Sequence, residues 1–500
     1  MYGGVWGKAG LSLALVVAGV SALAVAPGSA ADLGGDCCAD LEERVAELEA
    51  TTARKGNRKV SLSVSGYINE ALLIWDDGTE RNVYEGTNYA ARSRFRFLGE
   101  AKINSDWSVG YLLEIGVIAN RLNRTDQHND DGFTNTPAGP VSASILDIRH
   151  SAWWIQNKSY GKVWVGQTDQ ATERITEINL ASTNHFLKHY GRWNGSFILR
   201  LDDGSLAGTA ASPRTWGHIL PQSGFTGEGV PGEGDRFSVI KYDSPEFGGF
   251  ALSAAWGEDD FWDVALRYAG EYSGFKVAGG IGYSDWNGVG SLNDRGCAID
   301  DPTGGTGSTQ NDNGNADCQQ LGLSASILHE KTGLFVTGSY GIKWDENRDK
   351  IFELIAPSAG KSVDDEDDFY QILAGVEKKF DGELGKLGKT TVYGEFEHYD
   401  TGAIIAGNGQ TATGRPRSFA SNFGLNPGAA ANLGAGADID IWGGGINQNI
   451  ESAALDLYLA YRRSEADVFL SDTGVKGDTG ANTVKVAPLH LIMTGARIQF

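Results

Sequence analysis

From residue 60 onward, apolar and polar residues alternate nearly one for one. In VSLSVSGYINEALLIW, Val60, Leu62, Val64 and Ile68 share one parity and Ser61, Ser63, Ser65 and Asn69 the other, which is the period of a β-strand. Glu70 falls on the apolar parity, so a bulge or a pore-mouth position is required there. In ARSRFRFLGEAKI the next strand places Arg92, Arg94 and Arg96 on one face and Phe95 and Phe97 on the other. Near the end, Leu455, Leu457, Leu459 and Tyr461 alternate with Asp456, Tyr458, Ala460 and Arg462. Continued along the chain, the pattern predicts sixteen strands. The last three are expected at 438–445, 453–463 and 490–500.

The connections carry the topology. NSD, NKSYG, SPEFGG, YSG, EKTG and NQNIES are short, and they alternate with long segments such as 119–144, 285–319 and 400–437. Short turns on one side and long loops on the other are the asymmetry of an outer-membrane barrel with both termini on the turn side. The segment 257–260 is short on the long side, and FDGELGKLGK (380–389) is long on the short side. Aromatic residues near strand ends (Trp75, Trp107, Trp256, Trp286, Phe380, Trp442) fit interfacial girdles. The predicted fold class is all-β: a 16-stranded antiparallel transmembrane β-barrel occupying 60–500.

One connection, 168–235, is far longer than an ordinary loop, which marks it as functional. Its first part, QTDQATERITEINLAS (167–182), is polar, lacks Pro and Gly, and sets Glu173 and Glu177 one helical turn apart. We read it as a third loop folded into the lumen that narrows the pore. Arg92, Arg94 and Arg96 would form a positive ladder on the wall, and Asp169, Glu173 and Glu177 the facing acids. Opposed rows would impose a transverse field on passing solutes. The plainer alternative makes the acids solvated loop charges, with only one or two arginines lining the lumen.

The first 59 residues follow other rules. Lys8, the uncharged apolar run 9–26 and the small residues Pro27, Gly28, Ser29 and Ala30 read as a cleaved signal peptide, 1–30. Cleavage after Ala30 would leave Ala31-Asp32 as the mature start; an uncleaved anchor is the alternative. In the periplasmic segment 31–59, Leu41, Val45, Leu48 and Thr52 follow heptad spacing. It predicts a short N-terminal helix, or otherwise a solvated spacer, since so short a helix is marginal alone.

The formal charge is −22, which argues against nucleic-acid partners. Cys297 and Cys318 flank a Gly/Asp/Asn-rich loop and are the natural disulfide in an exported chain, while Cys37 and Cys38 are adjacent near the mature N-terminus. No Cys/His spacing suggests a metal, and nothing calls for a cofactor. His150, His185, His189 and His218 are scattered, with no nucleophile motif, so a barrel enzyme is disfavoured. A plugged receptor would need a globular domain before its barrel. A sugar-specific pore remains the serious competitor, because Trp193 and Trp216 could supply a stacking track. The acids at 364–368 are a candidate for divalent cations that bridge lipopolysaccharide, or a solvated charge run.

DCCADLEERVAELEATTARKGNRKVSLSVSG, RSRFRFLGEAKI, KYDSPEFGGFALSAAWG and the terminal Phe500 together resemble the general porins of alphaproteobacteria, the rhizobial and Brucella type. The resemblance runs through the whole mature chain in order, with extra residues in the loops. It implies a homotrimer in the Gram-negative outer membrane, among lipid and lipopolysaccharide, that passes ions and small hydrophilic solutes by passive diffusion. It also implies an eyelet formed by the third loop, a barrel-assembly signal at Phe500, and possible attachment of Ala31 to peptidoglycan.

Overall fold

The computed structural model describes residues 60–500 apart from 118–119, 131–134, 137–138, 141–145, 184–195, 210–211, 222–228, 258–259, 289–296, 298–315, 350–362, 403–432 and 472–481. The proposed signal peptide, the heptad seam, Ala31, Cys37 and Cys38 lie outside the described residues.

Sixteen antiparallel strands form the wall. They are β1 (Ser61–Asp76), β2 (Arg94–Lys102), β3 (Trp107–Val117), β4 (Leu146–Asn157), β5 (Gly161–Asp169), β6 (Arg236–Asp243), β7 (Phe250–Gly257) and β8 (Phe261–Tyr272). Then follow β9 (Phe275–Trp286), β10 (Cys318–His329), β11 (Leu334–Asp345), β12 (Glu366–Lys378), β13 (Thr390–Thr401), β14 (Leu433–Ile450), β15 (Leu455–Ser471) and β16 (Asn482–Gln499). Each pairs with the next, and β16 closes on β1 from Tyr67↔Gln499 to Asp76↔His490. Closure leaves no sheet edge, the condition for crossing a membrane with strands. The long turn 380–389 contains a short helix, Glu383–Leu387.

The outer face is apolar, as lipid requires. Leu457, Leu459 and Tyr461 of β15 are exposed, while Asp456, Tyr458, Ala460 and Arg462 point inward and are buried. Trp153, Ile240, Leu252 and Val336 continue the outer belt on other strands.

The second barrel strand departs from the sequence reading. Its upper part is a separate strand, Arg81–Thr87, paired with β1 from Glu70↔Thr87 to Asp76↔Arg81, and β2 resumes only at Arg94. Residues 88–93 leave the wall. The break is stitched by the Asn69 N–H donating to Ser93 Oγ (2.9 Å), Asn69 Nδ2 donating to the Ala91 carbonyl (2.9 Å) and the Val117 N–H donating to the Ser93 carbonyl (2.8 Å). Glu70 stands on the outer parity beside the break, where Ser93 Oγ and Thr87 Oγ1 donate to its carboxylate at 2.9 and 3.2 Å. β1 pairs without a bulge at Glu70; the break lies in the neighbouring strand.

β14, β15 and β16 are 18, 17 and 18 residues long, well beyond the expected ranges. Their inward residues Ile439, Ile441, Val468, Leu470, Leu489 and Leu491 are buried with Leu73 and Trp75 of β1. What covers them is the connection between β5 and β6, through Phe197, Leu199, Trp216 and Ile219. Trp75 meets Phe197 edge-on at 5.3 Å, Arg200 pairs with Asp77 at 2.8 Å, and the Ala487 N–H donates to the Arg200 carbonyl at 2.7 Å. A barrel expected to be polar inside thus holds an apolar core in the half nearer the long loops, because loop residues replace water there.

Candidate functional site

The segment that follows β5 lies against the inner wall, and glycine makes room for it. A Cβ added at Gly280 would stand 2.8 Å from the side chains of Ile175 and Ile178, and one at Gly282 would stand 2.8 Å from Thr172. At Gly322 and Gly341 the obstruction would be backbone: the carbonyl oxygens of Gly232 at 2.3 Å and Pro231 at 1.9 Å. These glycines of β9, β10 and β11 form a trough on the lumen face.

Polar wall side chains fasten the segment's backbone. The Thr172 N–H donates to Asp263 (2.6 Å), the Ile178 N–H to Ser324 Oγ (3.1 Å), the Leu180 N–H to Ser326 Oγ (3.1 Å) and the Ser182 N–H to Glu377 (2.6 Å). In the other direction Ser324 Oγ donates to the Ile175 carbonyl and Ser339 Oγ to the Thr176 carbonyl, both at 2.6 Å. The segment therefore runs across β8 to β12. Its return leg closes at the root, where the Gln170 N–H donates to the Asp235 carbonyl at 2.9 Å. Residues 170–183 form turns and isolated bridges, not a helix. With its hydrogen bonds taken by the wall, the backbone has no need of helical ones. Arg174 there adopts φ 60°.

Between this segment and the arginine-bearing wall lies a small charged cavity. Its wall side carries Arg92, Arg94 and Arg149, and its loop side Glu173, Arg174, Glu177, Glu233 and Asp235. Glu114, fully buried in β3, collects Arg94, Arg96 and Arg149 at 3.1, 2.5 and 2.7 Å. Arg149 is available because a bulge opposite Glu114 and Ile115 turns both Arg149 and His150 inward. Arg236, the first residue of β6, pairs with Glu173 at 3.1 Å, and Arg174 lies 3.5 Å from Glu173 and 3.9 Å from Glu177. Burial pushes the Glu173 carboxyl up to about 7, against the pull of Arg236. Burial also opposes the charge on Arg174, but Glu177 and Glu173 outweigh it and hold that guanidinium above its ordinary value.

The residues singled out in the sequence have these positions. Arg94 and Arg96 face the lumen from β2, whereas Arg92 belongs to the inward kink 88–93 and pairs with Asp147. Asp169 ends β5, 3.5 Å from His150 and 4.0 Å from Arg236. Glu173 and Glu177 are in the inward segment. Cys297 and Cys318 form a disulfide with a Cα–Cα distance of 6.2 Å. Phe500 packs its ring 5.8 Å from Phe95 and exchanges backbone hydrogen bonds with Gly66. In the acidic run, Asp367 points inward to Lys343 (2.8 Å) and Arg348, so it is not a solvated charge.

Glu114, Arg149, Arg174 and Arg236 were missed. Glu114 sits on the polar parity of β3 and Arg236 heads a strand, so both were legible as inward positions; Arg149 was not, because the bulge changes its parity.

A family model described as Gram-negative porin matches residues 13–487. No curated protein matches at a significant level. Among solved structures, the chain is similar to the anion-selective porin from Comamonas acidovorans, with 13% identity over 88% of this chain and 100% of that one and a TM-score of 0.48. It is also similar to outer-membrane expressed OmpT of Vibrio cholerae (13% identity, 89% of this chain, 99% of that one, TM-score 0.44). A third is Salmonella typhi OmpF in complex with daunomycin (10% identity, 88% of this chain, 98% of that one, TM-score 0.44). With the family model spanning nearly its full length, this chain belongs to the Gram-negative porin family.

Proposed function

We propose that this chain is a general diffusion porin of the alphaproteobacterial, rhizobial and Brucella type. Ions and small hydrophilic solutes cross it passively through a constriction between the inward segment and the arginine-bearing wall. The observation that carries the reading is the charged cavity itself, with Arg92, Arg94 and Arg149 on one side and Glu173, Glu177 and Glu233 on the other. Water and polar groups there replace hydrocarbon, so the barrier to a polar solute falls without chemistry.

A sugar-specific pore is the competing reading. It loses support at Trp216, which is 1% exposed inside the apolar core and offers no free ring face; Trp193 lies outside the described residues. Liposome swelling with sugars of graded size, set against single-channel conductance, tests the choice. A general pore gives rates that fall smoothly with size, and saturable passage of one sugar class overturns it.

The assembly we propose is a homotrimer whose heptad seam at 40–52 aids association, embedded among lipopolysaccharide and exported by the signal peptide 1–30. Deleting 40–52 weakens the trimer on mild-detergent electrophoresis and leaves the barrel folded; an intact protein that runs only as monomer refutes it. Attachment of Ala31 to peptidoglycan is checked by mass spectrometry of muramidase-released protein, where a wholly free Ala31 refutes it.

A further inference from the structure

On the turn side of the lumen, one lysine departs from ordinary cross-strand pairing. Lys162 is the second residue of β5, and its direct partner on β6 is Asp243. A lysine opposite an aspartate on the same face of a sheet ordinarily pairs with it. Here it does not. The Asp243 carboxylate accepts Trp164 Nε1 (2.9 Å) and Ser253 Oγ (2.8 Å), and its ionic partner is Lys241 at 3.7 Å. The ammonium of Lys162 sits instead between two indoles, 4.0 Å from the ring centre of Trp154 and 3.8 Å from that of Trp164. Asp243, Lys241 and, more weakly, Glu100 are near enough to act on its charge, but Lys162 forms no ion pair with either carboxylate.

The arrangement has a chemical meaning. An ion pair would cancel the lysine's charge, whereas the face of an indole holds a cation in place and leaves the charge intact. Lys162 is mostly buried but keeps part of its surface exposed. It lies opposite Gln156, six residues along β4 from His150, or about 20 Å along the strand. It is thus well separated from the charged cavity, at the opening beside the turn 158–160.

Resting on the porin reading for the existence of a pore, we propose that Lys162 is a fixed cation, held by indole faces and not by an ion pair, at the periplasmic mouth. With its Trp154–Trp164 seat it makes a weak docking site for multivalent oxyanions, polycarboxylates or polyphosphates, arriving from the periplasm. Trp164 has two tasks: one ring face steadies the ammonium, and its N–H keeps Asp243 away from it.

The test is single-channel recording of the whole protein in planar bilayers at low salt, with citrate added to one side at a time. The wild type is blocked more readily from the periplasmic side. Lys162→Gln raises the half-blocking citrate concentration from that side at least about fivefold, the effect of one contact charge in water, and leaves block from the other side unchanged. Lys162→Arg retains the block. Trp164→Phe removes no charge yet frees Asp243 to neutralise Lys162, so it moves block in the same direction as Lys162→Gln. Wild-type block in Lys162→Gln, or equal loss in Lys162→Arg, overturns the proposal. A wild-type protein that conducts nothing refutes the pore reading, and this one falls with it.

Discussion

Arg94 donates to Glu114 at 3.1 Å, and the same carboxylate also takes Arg96 and Arg149. One buried anion therefore serves three cations, and the wall keeps a net positive charge although none of the three is unpaired. Glu114→Gln leaves three guanidinium groups without their shared carboxylate. Removing one partner of a buried ionic cluster costs about 3–5 kcal/mol. We expect a lower unfolding temperature by heat-modifiability electrophoresis and a reversal potential moved toward anions. A mutant with wild-type values in both would show that the cluster is solvated.

The two charged rows give a paired prediction. Replacing Arg92, Arg94 and Arg96 with Gln moves the reversal potential toward cations, and replacing Asp169, Glu173 and Glu177 with Asn and Gln moves it toward anions. Both shifts shrink as salt rises, because the Debye length falls from about 30 Å at 0.01 M to about 3 Å at 1 M. Asp364 and Asp365 are the proper control, and Asp367 is left intact because it belongs to the buried pair with Lys343 and Arg348. If the control shifts the potential as far as the inward acids do, the inward segment is not the constriction.

Alternation placed the strands well because lipid enforces it on one face of every strand. It stopped short on β14–β16, where Ile439, Ile441, Val468 and Leu470 are apolar on the inner face too. There the period of two dissolves, and only the docked loop explains the run. The inward segment itself was legible from its length. Its course was not, since that depends on Ser324, Ser326, Ser339 and glycines dispersed over strands distant in sequence. Arg92 illustrates the same limit, because RSRFRF reads as one strand whereas Ser93 and Asn69 stitch a break within it.

Glu173 makes selectivity depend on pH. Burial raises its carboxyl above the ordinary carboxylate range, so it takes up a proton at a higher pH than an exposed glutamate. Raising the pH through its titration adds negative charge to the cavity and moves the reversal potential toward cations. Glu173→Gln removes that transition. A Gln variant that titrates as the wild type does would assign the effect to another group.

His218 ties the docked loop to pH in the opposite sense. Thr215 donates its N–H to His218 Nδ1 at 3.0 Å, which requires that nitrogen unprotonated. Burial, with Arg214 nearby, lowers the imidazole to about 4. A base whose folded value lies below its unfolded one binds more protons when released, so docking is strongest above about 6.5 and weakens as pH falls toward 4. The displacement corresponds to about 3 kcal/mol at most. Amide exchange in 214–220 is expected to speed up at pH 4.5 relative to that of β14, and His218→Gln to flatten the difference.

The glycine trough can be tested without touching a charge. At Gly341 a new Cβ meets the Pro231 carbonyl at 1.9 Å. That obstruction is backbone, so the inward segment must move. Gly341→Val costs about 1–3 kcal/mol of overpacking, comparable to two or three of the hydrogen bonds that fasten the segment, each worth about 1 kcal/mol. The segment should therefore shift while the barrel, whose β11 pairings with β10 and β12 are backbone ladders, stays closed. Gly338, three residues away on the outer face, is unobstructed: a Cβ there would have only the Gln371 carbonyl near it, at 4.0 Å. Gly338→Ala should leave permeation unchanged. Liposome swelling with graded sugars is expected to show a smaller size limit in Gly341→Val, because the new side chain pushes the segment off the wall into the lumen, and no change in Gly338→Ala. An unchanged limit in Gly341→Val, in a barrel that still runs as folded, would mean that the inward segment does not set the width of the pore.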